Sequence, residues 1–304
     1  MKKIICVFLV LCVLLLNACT GNAPENKNNK TIVATSFYPV YIFTLNLLNG
    51  IEDVSVECMA EQSVGCLHDY TLTAKDAKLL SDAKVLVING AGMESFLEDA
   101  FESVENLNVI DSSVNIDVVC KEEHNHEEQD EDHHHHENSH IWLSLGNAEV
   151  QVENIRNGLI KEFPQYENEI KENYSDYIKR LDALEEERKS ILLKTNDIKI
   201  ISFHGAYEYL AQDLGFGICH TIESDEGYEP SAKELAVLSK KIKDENIKAL
   251  FVDPNYSGSA AEILGREANT DIYVVNPIIS GEETLTAYED IMKENYKTIL
   301  KAVK

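Results

Sequence analysis

Residues 164–195 read PQYENEIKENYSDYIKRLDALEEERKSILLKT, and this stretch decides how the rest of the chain is organised. It contains no glycine, its only proline is its first residue, and apolar or aromatic residues recur every three or four positions. This spacing predicts one amphipathic helix, roughly 45 Å long at about 1.5 Å per residue. A coiled-coil helix is the alternative. Because the stretch lies between two halves of similar pattern, we expect a rigid connection between two lobes.

Strand-like and helix-like runs alternate on both sides of this stretch. β-Branched and apolar runs such as TIVATSF (31–37) and IKIISFH (198–204) alternate with amphipathic runs such as MESFLEDAFESV (93–104). Such alternation is typical of a parallel sheet with helices on both faces. The predicted fold class is therefore α/β, with two lobes, each a mainly parallel sheet flanked by helices, joined by one long rigid helix. We place the N-terminal α/β lobe at 31–163, the linking helix at 164–195 and the C-terminal α/β lobe at 196–304.

The N-terminal segment predicts an export signal and a tether. Residues 1–18, MKKIICVFLVLCVLLLNA, carry two lysines, a long apolar run and small residues before Cys19, the order of a lipoprotein signal peptide. The end of this run resembles the bacterial lipobox, in which Cys19 receives the lipid. An ordinary cleaved signal or an uncleaved anchor is the alternative. Residues 19–30 are polar, so we expect a flexible tether and an extracytoplasmic protein, lipid-anchored to the bacterial cell membrane.

The charge balance narrows the range of partners. The 304 residues include 53 acidic and 27 basic side chains, which gives a net charge of −26 with neutral histidines. Such a field repels nucleic acid and anionic membrane surfaces and attracts cations, so we expect no nucleic-acid partner. Because 44% of the residues are hydrophobic, the chain has enough apolar side chains for packed cores.

Three histidines stand near the ends of predicted strands or loops. His204 ends the run 198–204, His68 follows the strand DVSVECM after a short loop, and His140 comes directly before IWLSL. Asp253 and Asn276 also end predicted strands. Ligands of open α/β sheets bind beyond the carboxyl ends of the strands, so facing lobes would bring the three imidazoles to one cleft. Three imidazoles and one oxygen are a typical zinc set. Each histidine alone is more simply a core or solvated residue, and the separations match no local zinc-finger pattern.

The stretch 121–140, KEEHNHEEQDEDHHHHENSH, is different in kind, because it holds seven of the ten histidines and no apolar residue. We expect 121–139 to be a His-rich acidic surface loop that binds zinc weakly at several sites. A solvated insertion without a role is the alternative. The candidate low-affinity ligands are His124, His126, His133, His134, His135 and His136.

The same stretch contains the metalloprotease signature HExxH as His136-Glu137-Asn138-Ser139-His140. In that signature two histidines on one helix bind zinc and the glutamate is the general base. No apolar period flanks the run, so nothing predicts a buried helix there. We interpret the signature as a chance match and keep a zinc hydrolase as the competing hypothesis.

The cysteines beyond the signal segment are Cys58, Cys66, Cys120 and Cys219. Cys58 and Cys66 are close enough in sequence for one disulfide within a loop, as an extracytoplasmic location would allow. Free thiols, or a thiolate metal ligand at Cys66, are the alternatives.

Several blocks of the chain together resemble the zinc-binding solute-binding lipoproteins of bacterial ABC transporters. The blocks are TSFYPVYIF (35–43), the run HDYTLTAKDAKLLSDAKVLVINGAGMESFLEDA from His68, HIWLSLGNA from His140, ISFHGAYEYLAQDLG around His204, and VVNPI (274–278). The resemblance covers nearly the whole mature chain. It implies two lobes joined by one long helix, zinc as the transported ligand, and no enzymatic activity.

Carried over position by position, the resemblance implies that His68, His140 and His204 are the metal ligands. Manganese-binding relatives usually carry glutamate at the position of His204, and an internal His-rich loop is typical of zinc members, so zinc is favoured. The family's usual aspartate before proline in the last strand is Asn276 here. Since a neutral amide is a poorer zinc ligand than a carboxylate, the fourth ligand is Asn276, water or Glu61.

The function that the resemblance implies is a high-affinity zinc-binding component of an ABC importer. Such a protein captures Zn²⁺ in the interlobe cleft and delivers it to a permease that works with an ATPase; we expect it to be a monomer. The alternatives are a manganese or other divalent-metal binding protein of the same type, the zinc hydrolase, and a zinc-storage or adhesion lipoprotein.

Overall fold

Two four-stranded parallel sheets with a long helix between them form the frame of the molecule. The computed structural model describes residues 30–60, 70–97, 107–119, 138–196, 198–222, 230–256 and 258–303. Within these ranges no helix is both long enough and apolar enough to cross a bilayer. The predicted signal segment and nearly all of the tether lie outside them, and the proposed limits of signal, tether and lobes stay predictions.

The first sheet is built from the N-terminal part of the chain and has the order β2-β1-β3-β4, with every pair parallel. Helix α1 follows the first strand, and α2 connects the second strand to the third. Helix α2 begins with a capping box between Thr73 and Asp76. Of the predicted helix 93–104, the described part contains a short 3₁₀ turn at Ser95–Leu97. The elements are β1 (Thr31–Thr35), α1 (Tyr38–Leu47), β2 (Val54–Cys58), α2 (Ala74–Asp82), β3 (Val85–Ile88) and β4 (Asn108–Asp111).

Two consecutive helices connect the sheets. Helix α3 (Leu145–Glu162) is followed by a 3₁₀ turn at Pro164–Tyr166 and then by α4 (Glu167–Thr195), 29 residues long. The long helix predicted from the sequence is therefore confirmed. Its apolar face is buried, as the three-to-four spacing requires; the buried residues of this face are Ile170, Tyr177, Leu181, Leu184 and Ile191.

The second sheet repeats the order of the first as β6-β5-β7-β8, again with every pair parallel. The α/β prediction of two parallel sheets is thus confirmed. Gly215 caps the C-terminal end of helix α5, and its φ of 72° suits glycine. The elements are β5 (Lys199–Ser202), α5 (Glu208–Leu214), β6 (Gly217–Thr221), α6 (Ala232–Asp244), β7 (Ala249–Val252), α7 (Ala260–Ala268), β8 (Asp271–Val274) and α8 (Ala287–Ala302).

Helix α4 is fixed to both halves of the molecule by packing and by Arg180. The guanidinium of Arg180 donates to the nearly buried Glu289 carboxylate of α8 at 2.7 Å and also to the Asn46 side chain of α1. Next to it the Tyr177 ring lies 6.3 Å from Phe43, which in turn packs edge-on against Tyr288. One core therefore runs from the first sheet through α4 to the last helix.

Candidate metal centre

Both sheets have a topological switch point, where successive connections leave in opposite directions, and polar side chains follow the strands at both points. In the second sheet His204 comes two residues after β5 and Asp253 directly follows the neighbouring strand β7. In the first sheet Ser36 directly follows β1 and Asn89 directly follows β3. Ligands of open α/β sheets bind at such points, so the strand order alone places a site here.

His140 and His204 meet between the two sheets. Their ring centroids are 5.2 Å apart and the rings are nearly perpendicular, at 89°. His140 is 2% exposed and precedes a 3₁₀ turn at Ile141–Leu143. The ring of His140 also packs against Trp142, with centroids 5.1 Å apart. Two imidazoles that come from different halves of the chain are thus brought together in a largely buried position.

The position of His204 is set by its neighbours in the second sheet. The buried Ser202 hydroxyl accepts from the His204 N–H at 3.1 Å and donates to the His204 carbonyl. The Tyr207 ring lies 6.0 Å from the His204 ring, and its hydroxyl donates to the Val275 carbonyl at 2.6 Å. Burial, with a contribution from the Asp253 charge, raises the pKa of Tyr207 well above its ordinary value. Tyr207 is therefore uncharged at neutral pH, and its ring lines the site beside His204.

Asp253 is a site residue to which sequence reasoning assigned no role. Its Oδ2 is 3.8 Å from Nδ1 of His204, and both side chains are nearly buried, at 13% and 12% exposure. Its position directly after β7 was visible in the sequence. The pairing with His204 was not, because it depends on β5 and β7 being neighbours. A carboxylate facing one ring nitrogen favours a ring that presents its other nitrogen to a metal.

The predicted oxygen ligand Asn276 is engaged in a local turn. Its Oδ1 accepts from the Ile278 N–H at 2.8 Å, and its own N–H donates to Asn295 at 2.8 Å. One lone pair of the amide oxygen is thereby used within the protein. The alternative ligand Glu61 lies outside the described residues, so the choice among Asn276, Glu61 and water stays a prediction.

Most of the other predicted ligands also lie outside the described residues. This holds for His68, for the loop histidines 124–136, for Cys19 and for Cys66. In the ranges that the structure does describe, no group of three or more His, Cys, Asp or Glu side chains could hold a metal ion. The structure therefore brings together two of the three predicted imidazoles, and the assignment of all three as metal ligands stays a prediction.

Cys58 lies where the chain leaves the first sheet for the segment that carries His68. It has no disulfide partner among the described residues; as a thiol it donates to the Ala60 carbonyl at 3.5 Å, and burial raises its pKa to about 12. The thiol is therefore protonated at neutral pH and a poor metal ligand in that form. Since Cys66 is not described, the disulfide between Cys58 and Cys66 stays a prediction.

A buried carboxylate lies at the switch point of the first sheet. Glu94 accepts from the Ser36 hydroxyl at 2.7 Å and from the N–H groups of Asn89 at 2.7 Å and Gly90 at 3.0 Å. Burial raises the pKa of Glu94 to about 7, although these three donors act in the opposite direction. The Asn89 side chain donates to the Ser139 carbonyl at 2.9 Å. This network therefore supports the residue directly before His140.

The structure gives no support to the metalloprotease signature. Asn138 and Ser139 are buried but are not helical, and His140 precedes only a single 3₁₀ turn. The signature requires its two histidines on one face of a helix. The prediction that the surface loop extends to residue 139 is wrong for Asn138 and Ser139. Both are buried next to His140.

Comparison with known proteins identifies the family. The family model of ZnuA, the periplasmic component A of a zinc-uptake complex, matches residues 33–302. The chain belongs to the ZnuA family. Its resemblance to zinc-binding solute-binding proteins of ABC transporters is thereby confirmed. The family is one of uptake components and not of enzymes, which also confirms the expectation of a non-enzymatic protein.

Individual relatives agree with this ZnuA assignment. The high-affinity zinc uptake system protein ZnuA of Bacillus subtilis is 32% identical over 297 residues, which cover 93% of this chain and 92% of that protein. The zinc-binding lipoprotein AdcA of Streptococcus pneumoniae is 29% identical over 305 residues, which cover 99% of this chain. The chain spans 54% to 59% of the length of the AdcA relatives that it matches.

Solved structures of the ZnuA type have the same fold. The Zn(II)-bound ZnuA-like domain of Streptococcus pneumoniae AdcA is 25% identical, with a TM-score of 0.76, over 90% of this chain and 99% of that one. The binding protein FpvC of Pseudomonas aeruginosa, in complex with Ni²⁺, is also 25% identical, with a TM-score of 0.76 over 90% of this chain. Proteins of this shape are thus solved with different divalent metals bound.

Proposed function

We propose that the chain is the extracytoplasmic component of an ABC importer that captures Zn²⁺ between its lobes and delivers it to the permease. One observation carries this proposal, the meeting of His140 and His204 from opposite halves of the chain. The family match and the zinc-binding relatives support it. The metal is cargo, so the site has to bind and release it and performs no reaction on it.

The distance between the two imidazoles fits a shared zinc ion. In a tetrahedral site with Zn–N of about 2.0–2.1 Å, two rings bound through one nitrogen each have centroids about 5 Å apart. The centroids of His140 and His204 are 5.2 Å apart. Only small movements of either ring would then be needed to bind the metal.

The third imidazole in this proposal is His68. The segment that carries it follows Ala60, whose N–H donates to the Ser36 carbonyl at 3.3 Å. Ser36 is joined through Glu94 and Asn89 to the residue before His140. The described start of this segment is therefore linked by a short chain of hydrogen bonds to the residue before His140.

The lobes are held together by contacts that leave little room for a wide hinge motion. The Trp142 indole N–H donates to the Pro277 carbonyl at 2.8 Å, and the Tyr288 hydroxyl donates to the Trp142 carbonyl at 2.8 Å. Both contacts join the segment that carries His140 to the second half of the chain. We infer that zinc binding rearranges the loops around the site and that the permease recognises this local change.

The proposed delivery to a permease also requires that the protein is held at the membrane. A lipid on Cys19 and the polar stretch 19–30 would hold the protein at the outer face of the cell membrane, within reach of the permease. The parent chain is expected to incorporate a labelled fatty acid, whereas a Cys19→Ser variant incorporates none. A parent chain without the label, or a Cys19→Ser variant that carries it, would contradict the anchor.

Zinc affinity of the full chain tests the proposed site. Competition with a chelator reports the tightest site even when weaker loop sites are present. We expect His204→Ala and His140→Ala each to lower this affinity by at least a hundredfold, whereas His220→Ala in β6 leaves it unchanged. A His204→Ala variant that binds zinc as tightly as the parent would overturn the site assignment.

Metal identity and pH give two further readouts. Protein purified without added metal is expected to contain zinc, and a large excess of Mn²⁺ should not displace it. Displacement at comparable concentrations would make manganese the cargo. Affinity should fall at low pH, because a protonated imidazole has no lone pair for the metal.

A further inference from the structure

Asn138 is buried at the junction of the two lobes, and its side chain makes contacts on both sides. It has no exposed surface and comes two residues before His140. On one side, its Oδ1 accepts from the His140 N–H at 3.1 Å and lies 2.9 Å from Nδ1 of the His140 ring. On the other side, its Nδ2 donates to the Gly205 carbonyl at 3.0 Å and to Oε2 of Glu208 at 2.8 Å.

The partners fix the orientation of the amide group. Gly205 and Glu208 offer only acceptor oxygens, so the atom that faces them has to be the NH₂ nitrogen. The His140 backbone N–H is a donor, so the atom that faces it has to be the amide oxygen. A flipped amide would place two acceptors together and two donors together, and the flipped orientation is therefore excluded.

The orientation of the amide in turn fixes the tautomer of His140. An amide oxygen accepts but does not donate, so the 2.9 Å contact requires a proton on Nδ1 of His140. In the neutral ring the lone pair is then on Nε2, the nitrogen that points away from Asn138. Metal-binding histidines commonly have their ring orientation and tautomer set by such an outer hydrogen bond.

The other half of the same amide reaches the residues that follow His204. Gly205 is the next residue along the chain, and Glu208 begins helix α5. The backbone of Asn138 is also held, since its carbonyl accepts from the Tyr209 hydroxyl at 2.7 Å and its N–H donates to the Val119 carbonyl at 2.9 Å. One residue thus positions the His140 segment against the strand end that bears the second imidazole.

We propose that Asn138 is a positioning residue that presents Nε2 of His140 to the metal and couples the two imidazoles across the lobes. This inference rests on the proposed function, because it assigns a role toward the same metal. Asn138 itself does not contact the metal. Its contribution is to select one tautomer before the metal arrives and to fix the distance between the two ligand segments.

The test combines ¹⁵N NMR of histidine-labelled, zinc-free full-length protein with zinc affinity from chelator competition. The His140 ring signals are assigned by their loss in His140→Gln. We expect the parent to show the Nδ1–H tautomer at His140. Asn138→Ala is expected to show a mixture of tautomers and a ten- to hundredfold loss of zinc affinity.

A charge-matched pair of variants separates positioning from packing. Asn138→Asp keeps an acceptor for His140 but sets a carboxylate against Glu208, whereas Asn138→Asp with Glu208→Gln restores a donor across the lobes. We expect the double variant to recover the Nδ1–H signature and zinc affinity within a fewfold of the parent. The double variant also tests the proposal if Asn138→Ala does not fold.

Two outcomes would overturn the proposal. The first is an Asn138→Ala protein that keeps both the tautomer and the affinity of the parent. The second is a loss of affinity in Asn138→Ala while the tautomer is unchanged, which would reduce Asn138 to a packing residue. If the parent itself binds no zinc tightly, the proposed function fails. The NMR signals of the zinc-free protein still decide separately whether Asn138 sets the tautomer of His140.

Discussion

The carboxylate of Asp253 lies 3.8 Å from Nδ1 of His204. The two residues are 49 positions apart and come together because β5 and β7 are neighbours whose carboxyl ends lie at the same edge of the sheet. The Nδ1 atom of His140 lies 2.9 Å from the amide oxygen of Asn138, whereas the Asp253 carboxylate faces Nδ1 of His204 from beyond hydrogen-bond distance. In the proposed site each ring would present Nε2 to the metal.

Replacement of Asp253 by asparagine should weaken zinc binding without unfolding the protein. The neutral amide keeps the shape of the side chain but removes the charge that favours an Nδ1–H ring and a more basic Nε2. We expect the zinc affinity of Asp253→Asn to fall roughly ten- to hundredfold, as outer partners of metal ligands usually show. Chelator competition gives the affinity, and thermal unfolding of the metal-free protein checks the fold.

The matched control for this variant is Asp244→Asn, at the exposed end of α6 in the same lobe. Its zinc affinity should equal that of the parent. An unchanged affinity in Asp253→Asn would show that the 3.8 Å pair makes no contribution to binding.

Glu94 should make the stability of the fold depend on pH. Burial raises its pKa from 4.5 to about 7 in the folded protein, so the folded chain keeps a proton that the unfolded chain releases. The stabilisation from this group is therefore complete below about pH 4.5 and is lost as the pH rises through about 7. The shift corresponds to about 3 kcal/mol over this window.

Glu94→Gln isolates this contribution because glutamine does not titrate. The difference in free energy of unfolding between parent and variant, from urea titrations at pH 4.5 to 8, should change by about 3 kcal/mol in favour of the variant as the pH rises. Glu52→Gln in the exposed turn before β2 should show no such trend. A pH-independent difference for Glu94→Gln would mean that the carboxyl is already ionised across this window.

The presence of most strands along the chain and the position of His204 near a strand end could be predicted because their signals are local. The β-branched runs that became β1, β3, β5 and β7 are short, apolar and bounded by polar residues, and the spacing in 164–195 shows one uninterrupted apolar face. These features depend on periodicity along the chain.

The elements that the sequence did not indicate depend on tertiary contacts. Strand β6 reads GICHT; it is a half-buried edge strand, so it lacks both a continuous apolar run and a clear alternation. Helix α3 contains Gly158, which lowers helix propensity. A Cβ at Gly158 would lie 2.7 Å from Ile110, so the glycine allows the close approach of α3 to β4. Packing against the sheet outweighs the propensity here.

At the candidate site, the burial of Asn138 likewise depends on tertiary contacts and could not be predicted from the sequence. Asn138 stands in a polar run that predicts a surface loop, and the acceptors of its NH₂ group are distant in sequence. Its partners Gly205 and Glu208 are 67 and 70 residues away. The burial of a polar side chain with distant partners is decided by the fold, and only the arrangement of the two lobes makes it favourable.

Asp213 should stabilise the protein by binding the start of α3 from the other half of the chain. Its carboxylate accepts from the Ser144 hydroxyl at 3.0 Å and from the Leu145 N–H at 2.8 Å. A negative charge is favourable at a helix N-terminus. Because these bonds to a charged group are partly buried, Asp213→Ala is expected to lower the free energy of unfolding by about 2 kcal/mol.

Urea unfolding of the metal-free protein measures this effect. Asp244→Ala, at an exposed helix end, should change the free energy of unfolding by less than about 0.5 kcal/mol. A loss of equal size in both variants would mean that the contact between Asp213 and α3 has no specific role in stability.

Removal of the His-rich stretch should leave the fold and the tight site in place, because its two ends are already held together. The Tyr209 hydroxyl accepts from the Val119 N–H at 3.0 Å and donates to the Asn138 carbonyl at 2.7 Å. The Asn138 N–H donates to the Val119 carbonyl at 2.9 Å. Replacement of residues 121–136 by Gly-Ser-Gly therefore joins two points that the rest of the structure fixes.

Calorimetry on the shortened chain separates the two kinds of zinc site. We expect one tight site with the affinity of the parent, loss of the weaker binding events, and an unchanged unfolding temperature of the metal-free protein. Tyr209→Phe in the shortened chain removes both hydroxyl contacts and should lower the free energy of unfolding by about 1–2 kcal/mol. Loss of the tight site on shortening would place at least one of its ligands within 121–136, since Asn138 and His140 are retained.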